Sequence, residues 1–223
     1  MSALAGPVHL PRAGGRPGRV VVLLHGLGAD GHDLIALAPD LARHLPDAVF
    51  HAPNAPERCD LAPLGRQWFS VADLVAGELP DWSKIPAERV ARAAAQLGAY
   101  LDELLARHDL PASRLGIVGF SQGAMLALHL APRREPCIGA VVGYSGALVA
   151  PERLAVEARC RPPVLLVHGD ADEIVPAACM FEAFGALQQA GFPVQWLLRP
   201  GLAHGVDPIG LEAGGRFLRD HLV

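Results

Sequence analysis

Residues Val118 to Leu126, VGFSQGAML, set one serine between two glycines directly after an apolar run. Leu115-Gly116-Ile117-Val118 reads as a buried strand, Gly119-Phe120-Ser121-Gln122-Gly123 as a sharp turn, and Ala124-Met125-Leu126-Ala127-Leu128 as an apolar helix. A strand, a G-x-S-x-G turn and a helix in that order lift a serine hydroxyl above the end of a sheet. Glycines at 119 and 123 suit the crowding, because a Cβ at either position would meet a neighbouring strand or helix. The plainer alternative is a small residue at a tight bend, so the rest of the chain must supply the partners a nucleophile needs.

The whole composition permits such a design. At 223 residues and 51% hydrophobic content, the chain fits one α/β domain spanning 1–223. The net charge of −4, from 19 Lys+Arg against 23 Asp+Glu, forms no basic stripe for nucleic acid or an anionic membrane. Cys59, Cys137, Cys160 and Cys179 are widely spaced with no C-x-x-C, which suits reduced thiols in a cytoplasm. The N-terminus lacks a charged, then apolar, leader pattern, and no run approaches 18 apolar residues, so neither export nor stable membrane insertion is expected.

Apolar, β-branched runs at Val20–Leu24, Ala48–His51, Leu115–Gly119, Ile138–Tyr144, Val164–His168 and Val194–Leu198 predict strands. Helical patterns separate them, including Glu88–His108, where Val90, Ala94, Leu97, Leu101, Leu104 and Leu105 share one stripe, and a last helix at Pro208–His221. Continuously apolar strands alternating with helices predict a mainly parallel sheet with helices on both faces. One segment, about 53–86, breaks the alternation with Pro, Gly, charge and the aromatics Trp68, Phe69 and Trp82. It reads either as a functional loop or as a surface excursion anchored by those aromatics.

A serine hydroxyl is a weak nucleophile at neutral pH and needs an imidazole base held by a carboxylate. After the strand ending near His168 comes Gly169-Asp170-Ala171-Asp172, and after the next strand comes Pro200-Gly201-Leu202-Ala203-His204. Asp172 lies at the loop crest, whereas Asp170 suits a turn made through its own backbone. His204 follows the last strand, whereas His168 reads as a structural histidine. The chosen set is Ser121, Asp172 and His204, in the order found in α/β-hydrolases. Ser145 also follows an apolar strand, but it lacks the second glycine and an immediate helix, and reads as structural. His25, His32, Asp30 and Asp33 form no known metal-ligand spacing, so no metal is expected.

Gly26-Leu27-Gly28-Ala29-Asp30-Gly31 matches G-x-G-x-x-G after a strand, the dinucleotide pattern. That pattern needs an acid about 20 residues on, at the end of the second strand, and here that strand ends in His51-Ala52-Pro53. The glycines serve another purpose equally well. They let a backbone N–H at Leu27 join that of Gln122 in facing the oxygen of a tetrahedral intermediate.

Taken together, Leu24-His25-Gly26-Leu27-Gly28-Ala29-Asp30, His51-Ala52-Pro53-Asn54-Ala55-Pro56, Trp68-Phe69, Gly119-Phe120-Ser121-Gln122-Gly123, His168-Gly169-Asp170-Ala171-Asp172 with Val175-Pro176, and Gly201-Leu202-Ala203-His204 resemble the phospholipase/carboxylesterase family of α/β-hydrolases, which includes acyl-protein thioesterases. The resemblance implies an α/β-hydrolase fold and hydrolysis of carboxylic esters or thioesters through an acyl-serine. It assigns Ser121, Asp172 and His204 as triad, makes Leu27 and Gln122 the oxyanion donors, and calls for no cofactor. Small esters, lysophospholipids and acylated proteins all remain as substrates. The resemblance also allows a homodimer. The sequence departs from the family at Ser70, where Trp-Phe is often followed by Asp. A hydrolase-fold binding protein without activity is the remaining rival, although no triad residue or oxyanion glycine is missing. A hydrolase of this kind needs an apolar wall for its acyl group, and segment 53–86 offers Leu61, Leu64, Trp68, Phe69, Leu74 and Leu79. Leu64, Trp68, Phe69 and Leu74 are therefore expected to line a pocket for short to medium acyl chains.

Overall fold

A computed structural model of the chain describes residues 4–74, 82 and 85–223. In chain order it forms β1 (Val8–His9), β2 (Arg19–Leu24), α1 (Gly31–Ile35), α2 (Ala38–Leu41), β3 (Ala48–His51), β4 (Glu57–Arg58), β5 (Arg66–Gln67), α3 (Ala87–His108), β6 (Leu115–Phe120), α4 (Gln122–Arg133), β7 (Ala140–Tyr144), α5 (Leu154–Glu157), β8 (Val164–Gly169), α6 (Ala178–Gln189), β9 (Val194–Arg199) and α7 (Pro208–His221). Seven strands make one sheet in the order β1-β3-β2-β6-β7-β8-β9. All neighbours are parallel except β1, which runs antiparallel to β3.

The apolar runs explain this sheet. Along β2, Val20, Val22 and Leu24 enter one core with side chains of α3, α4 and α6, while Val21 and Leu23 enter a second core with those of α1, α2 and α7. A side-chain period of two thus buries both faces, so no polar alternation is needed in the sequence. The fold is the expected α/β sheet, with three differences of detail. The third-from-last strand starts at Ala140 rather than Ile138. The two-residue β1 is too short to leave a periodic signal. β9 is a sheet edge, and its Trp196 is 46% exposed, so an apolar run there does not mean burial.

Strand order also says where chemistry belongs. From β2 the chain moves outward to β3, then returns to place β6 on the other side of β2. At such a reversal the loops leaving the carboxyl ends diverge and open a crevice. The loops after β2 and β6, carrying Leu27 and Ser121, flank that point.

Segment 53–86 is anchored rather than free-standing where it is described. β4 and β5 pair antiparallel, and Trp68, Phe69 and Trp82 join the core beneath the sheet's first face.

Candidate active site

Ser121 sits between β6 and α4 with φ +53° and ψ −119°, a left-handed conformation that L-residues rarely adopt. Its N–H donates to the Tyr144 carbonyl at 2.9 Å, and its carbonyl accepts from Met125 N–H at 3.0 Å. The flanking glycines permit the turn sterically: a Cβ on Gly119 would strike the backbone of Gly123 and Ala124, and one on Gly123 would strike the Leu24 carbonyl.

His204 and Asp172 converge on this serine from the loops after β9 and β8. His204 Nε2 lies 3.0 Å from Ser121 Oγ, and His204 Nδ1 lies 2.8 Å from Asp172 Oδ2. The other carboxylate oxygen, Oδ1, accepts from the N–H groups of Ile174 and Val175 at 3.0 and 2.9 Å. With both oxygens held, the carboxylate cannot rotate away, and an imidazole Nδ1–H facing it leaves Nε2 as the proton acceptor toward Ser121. Burial pushes the Asp172 pKa up, but the hydrogen bonds from His204 and Val175 and the His204 charge outweigh it and leave it below the ordinary value. The Phe120 ring packs on the His204 ring at 4.8 Å.

The neighbouring candidates take other tasks. His168 is buried, donates from Nε2 to the Val175 carbonyl at 2.7 Å, and is held below its ordinary pKa chiefly by burial. Asp170 does not turn back on its own backbone as expected. Its Oδ1 accepts Gly201 N–H at 2.6 Å, because the two loops run side by side, and so it ties the acid loop to the loop of His204. Ser145, also at positive φ (+48°), is fully buried beside the acid loop. Asp30 and Asp33 cap α1: Asp30 accepts His32 N–H at 2.7 Å, and Asp33 accepts Asp30 N–H at 3.0 Å. Among the described residues, no group of three His, Cys, Asp or Glu side chains could hold a metal ion.

The loop after β2 lies against Ser121. A Cβ on Gly26 would be 3.3 Å from Ser121 Cβ and 3.2 Å from the Phe120 ring. Leu27 N–H has no backbone acceptor among the described residues. Gln122 N–H belongs to the first turn of α4, whose leading N–H groups have no acceptor within the helix.

The four expected pocket residues separate. Leu64 is 100% exposed, whereas Trp68 and Phe69 are each 2% exposed and packed into the core. Leu74 is partly buried against the same core, as is Leu27, and Leu79 lies outside the described residues. Sequence reasoning also missed the side chain of Gln122, which is buried and bonded to the backbone of Trp68 and Phe69. A separation of 54 residues leaves no local signal for such a pair.

The sequence model of the phospholipase/carboxylesterase family matches residues 12–222. A protein of Oryza sativa subsp. japonica named a probable carboxylesterase is 30% identical over 97% of this chain and 82% of its own length. The crystal structure of esterase PE8 superposes with a TM-score of 0.87 at 36% identity, covering 98% of this chain and 99% of that one. Acyl-protein thioesterase 2 of Zea mays gives a TM-score of 0.77 at 28% identity, covering 98% and 100%. The chain belongs to the phospholipase/carboxylesterase family of α/β-hydrolases.

Proposed function

We propose that the protein hydrolyses carboxylic esters or thioesters through an acyl-serine intermediate, with Ser121 as nucleophile, His204 as base and Asp172 as its anchor. The observation that carries this reading is the unbroken contact chain from Ser121 Oγ to His204 (3.0 Å) to Asp172 (2.8 Å). Ser121 Oγ attacks the carbonyl carbon while its proton passes to His204 Nε2. The carbonyl oxygen becomes an oxyanion facing the N–H groups of Leu27 and Gln122. Collapse expels an alkoxide or thiolate, which takes the proton from His204. Water then repeats the sequence on the acyl-serine, releasing the acid and restoring Ser121. Asp172 stays ionised throughout, as its lowered pKa favours. Every proton in this cycle is accounted for by the three side chains and water, so the scheme asks for no cofactor.

The leaving group and acyl length form the finer part of the proposal. Relatives of this chain include an acyl-protein thioesterase 1 of Gibberella zeae, 25% identical, and a lysophospholipase-like protein 1 of Mus musculus, 28% identical. Those names make thioesters and lysolipids the first alternatives to small esters. Leu27 and Leu74, apolar and partly buried, are the side chains here that suit contact with a short to medium acyl group. Each added methylene that finds cover should raise kcat/KM three- to fourfold, from about 0.8 kcal/mol per buried CH₂, until the space is full.

A series of aryl esters from acetyl to dodecanoyl, with matched thioesters, measures this directly. The proposal expects a rise and then a plateau at short to medium chains, and covalent labelling of Ser121 by a fluorophosphonate. A folded Ser121→Ala variant that keeps more than a tenth of wild-type turnover would overturn it.

A further inference from the structure

Trp68 has two N–H groups and almost no exposed surface. Both donors are committed inside the core. Its backbone N–H donates to Gln122 Oε1 at 2.7 Å, and its indole Nε1–H donates to the His25 carbonyl at 3.0 Å. Gln122 returns a second bond to the same segment, from Nε2 to the Phe69 carbonyl at 2.8 Å. His25 precedes the proposed donor Leu27, across Gly26, on the loop after β2, and Gln122 itself carries the other proposed donor on its backbone at the start of α4.

We propose that Trp68, clamped by the Gln122 side chain, is a positioning residue that holds the two halves of the oxyanion hole in register. The inference rests on the acyl-serine reading above and adds to it a cause for the preorganisation that such a hole requires.

The path from the indole to Leu27 is short. The indole N–H fixes the His25 carbonyl, and the ring also packs on the His25 imidazole at 5.3 Å, tilted by 34°. That imidazole accepts Ala55 N–H at Nε2 (2.9 Å), which puts its proton on Nδ1, from which it donates to the Gly26 carbonyl at 2.8 Å. Burial lowers the His25 pKa, which keeps the ring in that neutral form. The Gly26 carbonyl and Leu27 N–H belong to one planar trans peptide and point opposite ways, so holding the oxygen aims the N–H. The residues just before Trp68 brace the same loop: Gly28 N–H donates to the Arg66 carbonyl at 2.9 Å, and Arg66 N–H to the Ala29 carbonyl at 3.0 Å.

At the other end, hydrolysis uses only the backbone N–H of Gln122. Its buried amide is nevertheless spent wholly on Trp68 and Phe69. A clamp on each donor, meeting at one tryptophan, leaves the distance between donors little freedom.

The test is Trp68→Phe, which keeps an aromatic ring in the core but removes the indole donor. Losing one whole oxyanion donor costs about 10²–10³ in rate, so loosening one should cost about tenfold in kcat, with KM within about twofold. Three readouts separate positioning from mere stability. The affinity of an aryl trifluoromethyl ketone, whose adduct carries an oxyanion on Ser121, should fall by the same factor as kcat/KM, while that of the matching unreactive carbinol stays unchanged. The loss should be equal on acetyl and octanoyl esters. The pH dependence of kcat/KM should keep its midpoint, since the His204–Asp172 pair is untouched.

Equal weakening of ketone and carbinol, or an unchanged kcat, would overturn the proposal. So would a loss that grows with acyl length, which would return Trp68 to the acyl pocket. If Trp68→Phe does not fold, Gln122→Met removes the clamp from the other end while keeping its backbone N–H, and the same differential between ketone and carbinol is expected. Activity persisting in Ser121→Ala would instead sink the acyl-serine reading itself, an outcome distinct from each of these.

Discussion

Two turns leave adjacent strands at the same end of the sheet, and each begins with a serine in the left-handed region. Ser121, after β6, has φ +53°; Ser145, after β7, has φ +48°. Their φ angles are nearly alike, yet their surroundings differ. Ser121 opens directly into α4 and meets His204 Nε2 at 3.0 Å. Ser145 is followed by no α-helix before Leu154 and is fully buried, and its Oγ has no hydrogen-bond partner among the described residues. Strain alone therefore does not make a nucleophile. On the proposed reading, an imidazole within reach and N–H groups free to meet an oxyanion make one, and the buried hydroxyl of Ser145 meets no imidazole.

The sharpest way to break that comparison is to remove each hydroxyl. Ser121→Ala should cost about 10⁴-fold or more in kcat with the fold intact, because nucleophile and base act as a unit. Ser145→Ala should cost less than about tenfold, because its buried hydroxyl has no hydrogen-bond partner among the described residues. Similar losses in steady-state esterase assays would show that the turns are not distinguished as described.

The two aspartates after β8 extend the test to the acid. Asp172→Asn should lower kcat by about 10³- to 10⁴-fold, since an amide in its place favours the wrong imidazole tautomer. Asp170→Asn keeps an oxygen for Gly201 N–H and should cost less than about tenfold. A larger loss at Asp170 would reverse the assignment.

The smallest effect lies away from both turns. His51 and His129 are buried and pushed down to about 4, chiefly by burial, with His108 and Arg107 adding to the first and Arg133 to the second. Both folded values lie below the unfolded value of about 6.5, so between those limits unfolding takes up a proton at each. Stability should then rise with pH in this window, and acidification from pH 7 to 4.5 should lower it by up to about 1.4 kcal/mol per pH unit for each histidine. Urea midpoints across that range check this, and a folded His51→Gln variant should show a shallower slope than wild type. Identical slopes would mean that His51 takes up no extra proton on unfolding.

Several of these features were legible in the residues themselves. The parallel sheet follows from apolar runs such as Val20–Leu24, whose alternate residues fill two cores. The grouping of Ser121, Asp172 and His204 could be anticipated because each follows a strand, and parallel strands deliver their following loops to one end. The role of Trp68 is hard to read from sequence for a plain reason. An aromatic in a Pro- and Gly-rich segment looks the same in sequence whether it faces solvent, substrate or core, and only its partners His25 and Gln122 decide. Asp170 was misread, since its acceptor role toward Gly201 spans 31 residues.

The sequence by itself determined the alternation of strand and helix, the steric need for glycine at 119 and 123, and the chemical types able to form a nucleophile, base and acid. Those properties depend on local periodicity and on side-chain chemistry, which are written residue by residue. The tertiary structure alone decided that Ser121 rather than Ser145 meets an imidazole, that both oxygens of Asp172 are held, and that Trp68 bonds to both His25 and Gln122. Each is a contact between segments distant in the chain, and its geometry is fixed by how the loops pack together over the sheet's carboxyl end.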